Sequence, residues 1–104
     1  MKQFGGLVSR WWCYVIETED QQLYTGISTD PERRFAEHYE RSLGTGKVGA
    51  KYFCLHKPKK IVFLEECSDR SAASKREYAI KKMSRLQKER LIESAQTELL
   101  KESS

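Results

Sequence analysis

The feature that most restricts the fold of this chain is a pair of aromatic and β-branched runs separated by three polar residues. Trp11 to Thr18 reads Trp-Trp-Cys-Tyr-Val-Ile-Glu-Thr, Glu19-Asp20-Gln21 is turn-like, and Gln22 to Ile27 resumes as Gln-Leu-Tyr-Thr-Gly-Ile. Such side chains suit a pleated, half-buried surface, and so short a break between them makes a β-hairpin the natural reading. In a hairpin Tyr14 and Tyr24 can lie close together. Thr29 to Glu32 then has the form of a capping box, and Pro31 falls in a first helical turn, where its missing N–H has no intrahelical partner. A helix is expected from about Asp30 to Arg41. On it Arg34 and His38 are four residues apart and share a face, while Phe35 and Tyr39 share the adjacent face, expected to pack on the sheet.

Gly44, Gly46 and Gly49 interrupt regular structure after that helix and predict a flexible loop. Ile61-Val62-Phe63-Leu64 is a continuous apolar run, which reads as a central strand buried on both faces. Ser68-Asp69 offers a cap for a helix over Ser71 to Met83, rich in Ala, Lys, Arg and Glu. Ser84 with Gln87 forms another capping box, and Leu91, Ile92, Ala95 and Leu99 recur at helical spacing in a third helix, to about Leu100. The expected architecture is a small α/β (α+β) domain, a three-stranded antiparallel β-sheet flanked by about three helices in the order β-β-α-β-α-α. One domain over residues 1–104 is expected, with its core in about 11–92.

At 104 residues the chain has room for one modest core. Its 38% hydrophobic content includes 11% aromatic residues, too rich for a disordered chain. The net charge of +4 is mild, but its distribution is not. From Arg41 to Leu64 there is no acidic residue, while Arg41, Lys47, Lys51, Lys57, Lys59 and Lys60 are basic. That stretch attracts a polyanion, and Glu17, Glu19 and Asp20 at the first turn repel one. A solvated charged loop is the simpler explanation of the same run. Cys13, Cys54 and Cys67 are odd in number and lack a Cys-x-x-Cys pair, so neither a disulfide framework nor a zinc knuckle is suggested. Met1 to Arg10 has no apolar signal-like core, and no segment approaches the length of a membrane span. A soluble, intracellular protein of the cytoplasm or of the nucleoid or nucleus is expected, with no membrane partner.

The ordered set Tyr14, Tyr24, Gly26, Arg34 and His38, carried on strand, turn, strand and helix, resembles the GIY-YIG nuclease superfamily. Glu77, in Ser74-Lys75-Arg76-Glu77-Tyr78, falls where that family places the carboxylate that holds a single divalent metal. The likeness spans about Trp11 to Ile92 and is nearest to small stand-alone members of the UPF0213 type. Trp12 and Cys13 replace the Gly-Ile of the opening motif, and Thr25 replaces the isoleucine of the second. The family's late polar residue, often Asn, has no evident counterpart, Lys82 and Gln87 being the nearest residues of that kind.

The resemblance implies a divalent-metal-dependent nuclease that hydrolyses phosphodiester bonds in DNA, with RNA also compatible, in repair or recombination; so small a module has little surface for reading many base pairs, so recognition by structure more than by sequence is expected. It assigns Tyr14, Tyr24, Arg34 and His38 to catalysis and Glu77 to one Mg²⁺ or Mn²⁺ ion; Gly26, together with Lys47 and Lys51 of the basic stretch, is expected to bind substrate. Arg34 would grip nonbridging oxygens with its planar fork. One tyrosine would orient or deprotonate water; a free phenol costs about 4 kcal/mol to ionise at pH 7, a cost Arg34 and a metal are expected to lower. His38 would relay a proton or hold the phosphate. Two other functions fit the same residues, a non-catalytic nucleic-acid-binding or adaptor module, and a catalytic subunit that needs a protein partner, docked through Trp11, Phe53 or Leu55. Each residue also has a structural explanation. The tyrosines can be packing residues, His38 a surface residue, Arg34 a partner of Glu37 or Asp30, and Glu77 a partner of Lys81.

Overall fold

The computed structural model describes residues 10–103, with side chains as far as Gln96. Three strands, β1 (Trp11–Thr18), β2 (Leu23–Ser28) and β3 (Pro58–Cys67), and three helices, α1 (Pro31–Leu43), α2 (Arg70–Lys81) and α3 (Arg85–Ser103), follow one another as β-β-α-β-α-α. A one-turn 3-10 helix, Lys51–Cys54, lies between α1 and β3. Both strand pairings are antiparallel. This is the expected fold class and element order. The expected packing of Leu99 lies outside the described side chains.

Local chemistry accounts for the boundaries. In the hairpin turn Gln21 takes a left-handed φ of 66°, and the Thr18 hydroxyl accepts from Gln22 N–H at 2.8 Å and donates to Asp20 at 2.5 Å. The cap of α1 is Asp30, not Thr29: its carboxylate accepts from Arg33 N–H at 3.1 Å. The helix runs two residues beyond Arg41 and stops at Gly44, whose φ of 79° suits a residue without a Cβ. Asp69 caps α2 through Ala72 N–H at 2.8 Å, and Ser84 and Gln87 form the reciprocal box that opens α3.

The sheet order is β2-β1-β3, which corrects the expectation for the Ile61–Leu64 run. β3 is an edge strand, and β1, with Cys13 to Ile16 all buried, is the central one. The apolar run of β3 has another cause. Val15 pairs with Phe63 and Ile16 with Ile61, so the ladder slips by one residue at Val62. Val62 and Phe63 therefore both serve one core cluster while Ile61 serves the other, and Leu64 stays half exposed. A continuous apolar run reports burial, not position in the sheet.

The alternation of β1 divides the core. Cys13 and Val15 face α2 and α3, with Phe63, Cys67, Ala73 and Ile80. Tyr14 and Ile16 face the other way, toward α1 and the 3-10 turn, with Phe53, Tyr24, Phe35, Tyr52 and Ile61. Phe35 packs as expected, but Tyr39 is exposed, with the Lys57 ammonium 5.2 Å from its ring centre. The helix is turned so that His38 takes the inward position. Of the residues considered for partner contact, Phe53 is fully buried, Trp11 packs on the first cluster, and Leu55 is 86% exposed. No helix among the described residues is long and apolar enough to cross a membrane.

Among the described residues one buried hydroxyl is left without a partner, Thr25 Oγ1, on a residue 3% exposed and opposite Val15. An unpartnered buried polar group costs about 1–3 kcal/mol. Thr25→Val removes the hydroxyl at nearly constant shape and is expected to raise the thermal unfolding midpoint by about 4–8 °C for each kcal/mol recovered. An unchanged or lower midpoint would mean that this hydroxyl is satisfied in solution.

Candidate active site

Tyr14 and Gly26 face each other across the β1–β2 pair, and the Tyr14 ring lies over the glycine. A Cβ at Gly26 would stand 2.6 Å from the phenol oxygen and 2.7 Å from Cζ. The glycine thus admits a side chain of the neighbouring strand, where the sequence suggested a helix behind it or a nucleic-acid strand in front. Laid this way, the Tyr14 hydroxyl reaches His38 Nε2 at 3.1 Å. The Tyr24 ring is 6.5 Å from that of Tyr14 and 5.5 Å, edge on, from that of His38.

Arg34, one turn before His38, is partly exposed. Its Nη1 donates to Glu37 at 2.9 Å and to the Val48 carbonyl at 3.1 Å. The pair with Glu37 considered from sequence is therefore formed, and it also ties α1 to the glycine-rich loop. Arg41 adds a second tie, to the Lys47 carbonyl at 2.9 Å. Gly49 adds a third, since its backbone lies so close to α1 that a Cβ would meet Glu37 O at 2.4 Å. The basic loop is fastened to the helix, and Lys47 and Lys51 stand exposed beside the cluster's own helix and 3-10 turn.

Burial sets the protonation of the cluster. His38 has no exposed surface; burial, reinforced by the Arg34 charge and opposed by Glu37, lowers its imidazole from an ordinary 6.5 to about 4. At neutral pH the ring is uncharged. Tyr14 is pushed above the ordinary phenol range, by burial first and then by Tyr24 and Glu77, against the pull of Arg34. The expected lowering by Arg34 is present but smaller than the desolvation of a ring only 1% exposed. Cys13, fully buried, is pushed up to about 12, an unreactive thiol.

Glu77 lies on α2, which packs against β1 and β2. It is partly buried, pairs with Lys81 at 3.2 Å, and its charge acts on both Tyr14 and Cys13. No group of three His, Cys, Asp or Glu side chains gathers among the described residues, so Glu77 is a single carboxylate. One carboxylate, with water and substrate phosphate completing the shell, is a donor set that Mg²⁺ accepts. Gln87 is engaged in the α3 cap, and the Lys82 ammonium lies 5.0 Å from the Tyr78 ring centre.

Three contributors were not foreseen from the sequence. Ala50 N–H donates to His38 Nδ1 at 3.1 Å, the Phe53 ring packs tilted 4.3 Å from the same ring, and Tyr52 packs 5.3 Å from Tyr24. Tyr52 is in turn stacked on His56, whose Nδ1 is 2.7 Å from Asp20. The only signal was local, an aromatic pair just after the glycines. A groove of about 860 Å³ bordered by Trp12, Pro31, Leu64 and Ala95 contains none of the cluster.

Two consequences are measurable. The unfolded chain protonates His38 near 6.5 and the folded one near 4, so the unfolded state binds more protons between these values. The stability due to neutral His38 is complete above pH 6.5 and is lost on acidification toward pH 4, by about 3 kcal/mol. Denaturant midpoints from pH 7 to 4.5 are expected to fall more steeply for the native chain than for His38→Gln; equal slopes would exclude the buried neutral ring. Gly26→Ala, which displaces the Tyr14 ring, is expected to lower stability by about 1–3 kcal/mol. A neutral effect would mean that the ring does not rest on the glycine.

Comparison with known proteins identifies the family. Residues 10–90 match the family model of the GIY-YIG catalytic domain. The chain is 41% identical over 86 residues to a UPF0213 protein of Desulfotalea psychrophila, covering 83% of this chain and 74% of that one. It is 43% identical over 82 residues to the UPF0213 protein YhbQ of Escherichia coli, covering 79% and 76%. The solution NMR structure of the UPF0213 protein BH0048 from Bacillus halodurans superposes with a TM-score of 0.50 at 28% identity, over 81% of this chain and 83% of that one. With its strand order and this match over most of its length, the chain belongs to the GIY-YIG catalytic-domain family, a family of nucleases.

Proposed function

We propose that this protein is a divalent-metal-dependent endonuclease that hydrolyses DNA phosphodiester bonds, reads the shape of its substrate more than its sequence, and serves repair or recombination. The observation that carries the reading is the convergence of Tyr14, Tyr24, Arg34 and His38 around one buried hydroxyl that also feels the Glu77 charge. Simple packing requires no guanidinium, imidazole and carboxylate around a tyrosine pair.

Each group has a task in phosphodiester hydrolysis, which needs an aligned water, charge neutralised on the phosphate and a stabilised leaving oxygen. Arg34, fixed by Glu37 and Val48, presents a permanent positive charge to the nonbridging oxygens. Tyr24, less buried than Tyr14, is the phenol better placed to meet a water, and Tyr14, held neutral by burial, serves as a hydrogen-bond donor. Glu77 would hold the divalent ion, displacing Lys81, and the bound ion would supply charge neutralisation at the leaving oxygen. Lys47 and Lys51 would follow the backbone of the strand, an electrostatic contact without base selectivity.

One observation favours a second reading, a binding or adaptor module without turnover. The charges of Arg34 and Glu77 are both already engaged, with Glu37 and Lys81. Labelled single-stranded, duplex, nicked and branched DNAs with Mg²⁺ or Mn²⁺ separate the two. Cleavage is expected from the native chain and is expected to fall by about 100-fold or more in Arg34→Ala and in Glu77→Ala, with folding retained. Salt-dependent binding unaffected by Glu77→Ala, with no metal-dependent product from the native chain, would establish the binding module. A chain that cleaves only when a partner is added would establish the partner-dependent subunit.

A further inference from the structure

The two ring nitrogens of His38 have partners of different chemistry. Ala50 N–H lies 3.1 Å from Nδ1, and a backbone amide can only donate, so Nδ1 is the bare, accepting nitrogen. A neutral imidazole with a bare Nδ1 carries its hydrogen on Nε2. Nε2 is 3.1 Å from the Tyr14 hydroxyl. In that contact the histidine donates and the phenol oxygen accepts. The Arg34 charge also acts on Tyr14, and a guanidinium can only donate. The hydrogen of Tyr14 itself therefore points away from His38 and is left for another acceptor.

Gly49 brings the deciding amide into place. A Cβ there would lie 2.4 Å from Glu37 O and 2.8 Å from His38 Cα, so a larger residue would push the loop off α1 and withdraw Ala50 N–H. The ring has little freedom to turn. The Phe53 ring packs tilted against it at 4.3 Å and Tyr24 meets it edge on, and the ring has no exposed surface.

We propose that the Gly49–Ala50 segment is a tautomer lock, which holds His38 as a constant donor to Tyr14 and so aims the Tyr14 hydroxyl hydrogen at the substrate. His38 is then a positioning residue and carries no proton between groups. The roles of proton relay and phosphate holder, both open from the sequence, each need a ring nitrogen that the fold has already engaged. The word substrate rests on the nuclease reading; the lock does not. The titratable and charged groups facing the ring are Arg34 and Glu37 on α1, Tyr14 on β1 and Tyr24 on β2, with Tyr52 of the 3-10 turn behind Tyr24.

The decisive measurement is a long-range proton–nitrogen correlation spectrum of the full chain with ¹⁵N-labelled histidine, from pH 8 to 5.5. His38 is expected to show hydrogen on Nε2 and a bare Nδ1 throughout. An Nδ1–H form, or a protonated ring at pH 6, overturns the lock. Gly49→Ala is expected to give a mixture of tautomers, and a single unchanged form would remove Gly49 from the device; should that variant not fold, the native spectrum still decides the tautomer. The cleavage assay tests the positioning role. In His38→Gln the amide nitrogen can donate to Tyr14 and the oxygen can accept from Ala50, but the side chain cannot shuttle a proton. His38→Gln is expected to keep most of the cleavage that His38→Leu loses, a difference of about tenfold or more. Glutamine as damaging as leucine overturns positioning. Absence of cleavage by the native chain sinks the nuclease reading, while the tautomer is still decided by the spectrum.

Discussion

Everything in the candidate site depends on Tyr14 lying across Gly26. The β1–β2 register sets the two residues opposite each other, and a missing Cβ lets an aromatic ring cross the neighbouring strand. From there the hydroxyl reaches α1, on the same face of the sheet, and meets His38. His38 in turn accepts from Ala50, which lies in the loop that carries Lys47. Strand register, ring placement, helix orientation and loop position thus form one sequence of dependences. A shift of one residue in the hairpin would send Tyr14 to the opposite face and dissolve all four.

Burial does two jobs here that a more exposed site would separate. It supplies packing, since Tyr14, Ile16 and Phe53 form one of the two core clusters. It also sets protonation, keeping His38 neutral and Tyr14 protonated. A polar side chain inside a core is costly unless its atoms are paired. His38 meets that condition at both nitrogens. Thr25 does not, one strand away on the other face. Both residues are buried and polar, but only the histidine is built into a hydrogen-bond network.

Much of the fold was legible in local chemistry. The hairpin, the Asp69 cap and the Ser84–Gln87 box all rest on interactions between residues close in the chain, so sequence proximity sufficed. The same holds for Gly44 as the end of α1, although the helix was expected to stop at Arg41. The center of the sheet was misjudged because four consecutive apolar residues in β3 serve two clusters through a slipped ladder, and nothing local distinguishes that from a strand covered on both faces. The packing of Tyr39 was misjudged for a related reason. Helical periodicity defines stripes, but which stripe turns inward is decided by what the sheet offers opposite, here the Tyr14 hydroxyl.

The sequence by itself determined the order of elements, the glycines that permit close approach and the presence of two tyrosines, an arginine, a histidine and a glutamate in that order, because these follow from backbone preference and residue type. The tertiary structure decided which atoms meet. Only in three dimensions does Gly26 lie beneath Tyr14, Gly49 bring an amide to His38, Arg34 hold both Glu37 and the loop, and Glu77 act on Tyr14 from a different helix. Protonation belongs to that second group as well, since desolvation and the direction of a hydrogen bond arise from packing between segments distant in the chain.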